Sequence, residues 1–269
     1  MYSAPLIFES EYCMESYFYH QLKKIKNFTP RKKVNKILSA LYRYSIESTD
    51  KYIQNTQYVK DIRNFCARGE EEMEKYYAQK IFASCDTYQE MKRFMYFENY
   101  ELLSRLEYVN LTYFCPQIKN ILFLGSGPLP LSAICLVLHY RVHVTLLDMS
   151  FEACELSRKL IEKLLLEYFH FECANAMSFT SSDSFDAVIS AAMLFTQGDQ
   201  TDLFENISHL HAKYFVFRSS EGKRELLYRK LSTTKLQKHF RVLLEIHPKN
   251  ELVNSIVITQ KRTESIKRE

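Results

Sequence analysis

The sequence predicts an α/β protein: a helical bundle over residues 1–116, then a mainly parallel seven-stranded sheet over 117–262 that ends in an antiparallel hairpin. Three observations carry this. From Glu9 to about Tyr113 there is no valine- or isoleucine-rich run, and apolar residues recur at three- and four-residue spacings. After Cys115-Pro116, short apolar runs alternate with amphipathic segments, the order of strands joined by right-handed crossovers. The last two runs lie too close together for a crossover and must pair antiparallel.

In the first half, Val34, Ile37, Leu38 and Leu41 form one helical stripe and Leu102, Leu103, Leu106 and Val109 another. Thr29-Pro30 reads as an N-cap with proline at the first helical position, and Ser48 or Thr49 with Asp50 marks the break before the next helix. In the second half the strands are NILFLG (120–125), VHVTLLD (142–148), FHFEC (169–173), FDAVISA (185–191) and KYFVFR (213–218), with helical stretches between. FRVLLEIH (240–247) and LVNSIVIT (252–259), separated by PKNE, form the hairpin at the sheet edge. KRTESIKRE reads as a solvated tail, with residues 263–269 beyond the folded part.

Composition narrows the function. With 46% apolar and 25% charged residues the chain is an ordinary globular one, without a long uncharged apolar run, and its first residues carry acids where a secretory signal is expected to carry bases before an apolar stretch. A cytoplasmic protein without a membrane partner is expected. The net charge of +4 comes from 36 basic and 32 acidic residues scattered together, so nucleic acid is not implied. Seven cysteines, from Cys13 to Cys173, include no CxxC pair and read as reduced, mostly buried thiols. His209 and His211 lack the further ligands of a metal site, and no structural metal is expected. Oligomeric state is not readable.

Glycine is scarce, with five where about nineteen would be usual, so placement is informative. Gly125, Ser126 and Gly127 end the first strand, and Pro128 and Pro130 follow at once, just inside the next helix. Asp148 ends the next strand, where a carboxylate accepts the ribose hydroxyls of an adenosine ligand. Met149 beside it, and Asn175 with Ala176 after the third strand, complete a candidate nucleoside site. The third glycine of a dinucleotide fingerprint and the GxxxxGK[ST] phosphate loop are both missing. A nucleoside without phosphates fits. Five parallel strands closed by a hairpin is the plan of Rossmann-like enzymes that use S-adenosylmethionine.

GSGPLPLSAI (125–134) resembles the signature of nicotianamine synthases. TPRKKVN, CARGEEEMEKYY (66–77), YFENYELLSRLEY (96–108), FDAVISAAM, VFRSSEGKRELLY (216–228) and IHPKNELVNSIVI (246–258) are similar to that family's other blocks, in the same order. The resemblance extends to the microbial relatives that make opine-type metallophores. It implies transfer of the 3-amino-3-carboxypropyl group of S-adenosylmethionine to an amine acceptor, either an amino acid or a second S-adenosylmethionine-derived unit, release of methylthioadenosine, and a nicotianamine-like metal-chelating product. The family's catalytic glutamate maps onto Glu70, with Glu74 the alternative one turn away, and its tyrosine onto Tyr96, with Tyr100 next.

Other candidate substrate contacts are Asn99 and Glu107, in the stripe that begins at Tyr96, Arg218 at the end of the fifth strand, and His247 and Asn254 around the hairpin turn. Arg218 could pair a methionine-derived carboxylate bidentately or form a surface ion pair. Asn175 stands where the plant pattern has aspartate, and SAAMLFTQGD (190–199) departs from plant sequences, so the acceptor stays open. A methyltransferase and a non-catalytic binder of S-adenosylmethionine or of a finished chelator are the competing readings.

Overall fold

The computed structural model describes residues 12–48, 53, 57–195, 200–249 and 252–262. Thr49, Asp50, Asn250, Glu251, the end of the 190–199 loop and the tail 263–269 lie outside the described residues. Five helices come first: α1 (Tyr12–Lys23), α2 (Lys32–Glu47), α3 (Gln57–Ala83), α4 (Thr87–Lys92) and α5 (Phe97–Phe114). Val34, Leu38 and Leu41 bury one face of α2, as the apolar spacing predicts. The Thr29-Pro30 cap does not form. α2 begins at Lys32 with Arg31 as N-cap, because the Thr29 amide and hydroxyl are both committed to Asn27 Oδ1 at 2.7 Å.

The second half runs β1 (Asn120–Leu124), α6 (Leu131–Tyr140), β2 (His143–Asp148), α7 (Phe151–Lys163), β3 (Phe169–Cys173), β4 (Phe185–Ser190), α8 (Gln200–His209), β5 (Ala212–Ser219), α9 (Thr233–His239), β6 (Phe240–Ile246) and β7 (Ser255–Lys261). The sheet order is β3-β2-β1-β4-β5-β7-β6, with the first five strands parallel and β7 antiparallel to both its neighbours. This is the expected fold class. Strands β1 and β4 are buried on both faces, which is why they read as continuous apolar runs.

Further details differ from expectation. No helix joins β3 to β4; turns and bends span 174–184. Pro130 is the N-cap of α6 and Pro128 precedes it, so neither proline lies inside the helix. β7 starts at Ser255, so the hairpin connection is longer than PKNE. Leu252, Val253 and Asn254 are buried without joining the ladder, and the Val253 amide instead donates to Asn99 Oδ1 on α5 at 3.4 Å. Of the six cysteines described, Cys66, Cys135 and Cys154 are buried, a smaller share than expected.

The helices sit over the carboxyl ends of the strands. α5 packs on α6, where Tyr108 and Tyr140 stack at 3.7 Å, and α3 packs on α7. One continuous apolar core holds Phe18, Leu41 and Met73 of the helices together with Ile121, Ile189 and Val216 of the sheet. α3 is thereby fixed above the β1–α6 turn.

Candidate active site

The turn after β1 is built for close approach. Gly125 and Gly127 have φ of 74° and 66°, a region that L side chains rarely enter. Asp148 Oδ2 accepts from the Gly127 amide and Oδ1 from the Ser150 amide, both at 2.9 Å, which aims the carboxylate across the turn. Asn175 Oδ1 accepts from the Met177 amide at 2.9 Å, and Asn206 Nδ2 donates to the Ala176 carbonyl at 2.7 Å, so the loop after β3 is fixed from both sides. Met149 lies exposed beside this loop.

A cavity of about 1040 Å³ runs from this turn beneath α3 and α5 to the start of β7. Gly125, Ser126, Gly127, Pro128, Asp148, Met149, Asn175 and Ala176 line one end of it. Glu70, Glu74, Tyr96, Asn99, Tyr100, Arg218 and Asn254 line the rest. Fifteen of the seventeen residues singled out from the sequence therefore meet in one place. Glu107 and His247 do not line it. Glu107 is fully buried behind Arg218, and His247 Nδ1 bonds Ser255 Oγ at 2.9 Å while its Nε2 lies 3.2 Å from Glu245.

Two carboxyl–phenol pairs dominate the middle. Tyr228 donates to Glu70 Oε1 at 2.7 Å, and Tyr100 donates to Glu74 Oε1 at 2.9 Å. Burial pushes the Glu70 carboxyl up to about 7 against the opposing pull of the Tyr228 hydrogen bond. Burial likewise pushes Glu74 up to about 8; the Tyr100 bond works against this, and the charges of Glu70, Asp148 and Glu71 add to it. Burial also raises the phenols of Tyr96, Tyr100 and Tyr228 well above their usual value, so they stay protonated.

Arg218 is committed to the protein. It pairs bidentately with Glu107, Nε to Oε1 at 2.6 Å and Nη2 to Oε2 at 2.9 Å, and Nη2 also donates to Ser132 Oγ at 2.8 Å. Burial opposes its charge, but Glu107 more than compensates and its pKa is raised. The bidentate partner expected in a substrate is supplied here by α5. Asn99 Oδ1 receives the Tyr42 hydroxyl at 3.4 Å as well as the Val253 amide, and the neighbouring Asn254, 4% exposed, has no partner for Nδ2 among the described residues.

Sequence reasoning missed Tyr228, Tyr42 and Ser132, all of which line the cavity. Tyr42 carries a faint signal, an aromatic just off the apolar stripe of α2. Tyr228 carries none by spacing, since the short 3-10 turn Gly222–Leu226 brings it to a carboxylate 158 residues away.

A family profile described as nicotianamine synthase protein matches residues 14–266. A nicotianamine synthase of Solanum lycopersicum is 29% identical over 260 residues, covering 90% of this chain and 81% of its own. Nicotianamine synthase 1 of Oryza sativa subsp. indica is 29% identical over 215 residues, covering 75% of this chain and 64% of the relative, just under two thirds. Among solved structures, MtNAS in complex with MTA and tNA superposes with a TM-score of 0.81 at 21% identity, covering 94% of this chain and 98% of the other. A glutamate-to-glutamine mutant of MtNAS in complex with S-adenosylmethionine gives 0.80 at 20% identity, with the same coverage.

Proposed function

The chain belongs to the nicotianamine synthase family of S-adenosylmethionine-dependent aminocarboxypropyltransferases, and we propose that it joins the 3-amino-3-carboxypropyl group of that donor to the amine of an amino acid. The supporting observation is a single cavity that has the glycine turn and Asp148 at one end and the Glu70–Tyr228 pair beneath the helices at the other.

In this reading the adenosine lies over Gly125–Gly127, its ribose hydroxyls on Asp148 and its base against Met149, Asn175 and Ala176. The amino acid arm extends under α3. The sulfonium makes three attached carbons electrophilic, so the product depends on which carbon faces the amine. The amine lone pair forms the new C–N bond while the C–S electrons return to sulfur, leaving neutral methylthioadenosine. The nucleophile must be uncharged, and a carboxylate with a pKa of about 7 is matched to taking its proton near neutrality. Glu70 is therefore assigned as general base, Tyr228 orients it, and Tyr96 completes that wall.

The Glu70–Tyr228 pair and the helical layer that bounds the cavity favour this reading over a methyltransferase. The product is read as an aminocarboxylate metal chelator and residues 1–116 as the layer bounding its acceptor, with 117–262 carrying the donor. All six described cysteines are free thiols, which supports a cytoplasmic setting. No helix among the described residues is long and apolar enough to cross a membrane.

Incubating the protein with S-adenosylmethionine and a panel of amino acids tests the reaction. Methylthioadenosine and an acceptor heavier by one or more aminocarboxypropyl units are expected. Accumulation of S-adenosylhomocysteine alone would make the chain a methyltransferase.

A further inference from the structure

Two thiols meet at the glycine-turn end of the sheet, and the proposed reaction uses neither. Cys173 closes β3 and is exposed, while Cys154, in the first turn of α7, is buried. Cys173 pairs with Asp148 in the parallel ladder, and the Cys154 sulfur lies against both strand ends, 3.4 Å from the Asp148 carbonyl and 4.0 Å from that of Glu172, the residue before Cys173. There it is in hydrogen-bond contact with the Cys173 thiol. Burial, and next that contact, push the Cys154 thiol up to about 12, so it stays protonated and the exposed sulfur is the one that meets an oxidant. Two thiols in contact, one reachable and one sheltered, have the arrangement of an oxidisable cysteine beside a resolving one.

We propose that Cys173 and Cys154 form a thiol modification site that reacts with hydrogen peroxide and closes to a disulfide, loosening the nucleoside site beside it. The Cys173 sulfur breaks the peroxide O–O bond, becoming a sulfenic acid and releasing one water. The Cys154 sulfur then displaces the sulfenic oxygen, its own proton leaving with that oxygen as a second water. In sum the two thiols give up two electrons and two protons, the peroxide accepts them, and a dithiol reverses the step by exchange.

The consequence lies in what the two sulfurs hold. In the reduced protein the Asp148 carbonyl accepts from the Cys154 thiol at 3.4 Å and from the Ala174 amide at 3.0 Å. The Asp148 carboxylate orders the Gly127 and Ser150 amides, and Ala174 leads into Asn175 and Ala176, which line the cavity. A disulfide removes the thiol hydrogen and draws the end of β3 toward α7, so the Asp148 side and the Asn175 side of the site both shift. The disulfide stands independently of what the cavity binds, whereas its effect on affinity rests on the reading of an adenosine ligand there.

The test exposes the full-length Cys85→Ser protein, which lacks the other exposed thiol among the described residues, to hydrogen peroxide. Peptide mass mapping should show Cys154 and Cys173 joined with the loss of two hydrogens, and dithiothreitol should restore both thiols. Affinity for methylthioadenosine should fall roughly tenfold or more on oxidation and return on reduction. With Cys173→Ser, a conservative change at an exposed position, or with Cys154→Ala, peroxide should alter that affinity by less than about twofold. Cys173 carried on to a sulfinic acid while Cys154 stays alkylatable, or the same loss of affinity in Cys173→Ser, overturns the pair. A disulfide that forms and leaves affinity unchanged overturns its hold on the site. Should the untreated protein bind no methylthioadenosine, the nucleoside reading and the loosening both fail, while the mass map still decides the thiol pair.

Discussion

The side chain that governs the proposed chemistry is Glu70, and its protonation sets a measurable limb. The pH profile of kcat/KM should rise through about 7 as the carboxylate forms, and Glu70→Gln should lower kcat by roughly 100- to 10,000-fold and abolish that limb. Stability carries the opposite sign. Both acids of α3 titrate above the ordinary 4.5 in the folded protein, so between that value and about 8 the native state holds more protons than the unfolded chain. Stability therefore falls as pH rises across this window. Glu74→Gln should leave it unchanged near about pH 4 and raise it by on the order of 2 kcal/mol at about pH 8.5, checked by urea unfolding at both values. The sequence brought both acids into view but not what tells them apart, because in CARGEEEMEKYY they differ only by one helical turn. What separates them is the partner, Tyr228 for one and Gly127 with Tyr100 for the other, and those partners come from distant segments.

Among the elements, α5 and β5 are locked by the Arg218–Glu107 pair, with Arg218 4% exposed and Glu107 0%. Glu107→Ala should cost about 3 to 5 kcal/mol by leaving the guanidinium buried and unpaired, read as a fall in the denaturation midpoint, whereas replacing both residues by methionine should recover much of the loss. The Lys75 bridge between α3 and α7 is far more solvated on its carboxylate side, and Lys75→Met should change stability by less than about 1 kcal/mol. Strand positions were legible because β1, β2, β4 and β5 are short, apolar and separated by helices. The start of β7 was not. Leu252 and Val253 look like strand residues, yet the Val253 amide donates to Asn99 Oδ1 instead of joining the ladder. Thr29-Pro30 failed as a cap for a comparable reason, since a local asparagine outcompeted the helix.

At the scale of the whole molecule, the helical layer and the sheet share one apolar core, although their sequence patterns divide cleanly near Cys115-Pro116. Calorimetry should accordingly show a single cooperative transition, shifted upward by methylthioadenosine, and a chain limited to 117–262 should fail to fold because it loses the helices that cover its core. Two separated transitions would contradict this. The fold class was legible from hydrophobic periodicity alone, whereas the shared core was not, since periodicity marks which face of an element is buried but not what lies against it. The strand order has a last consequence, for how the polypeptide is made. β7 separates β5 from β6 in the sheet, yet β6 leaves the ribosome before it. A nascent chain must therefore hold β6 in waiting until its successor emerges and slides between the two, so the wall that closes the cavity at Asn254 is completed only after the glycine-turn end has already been translated.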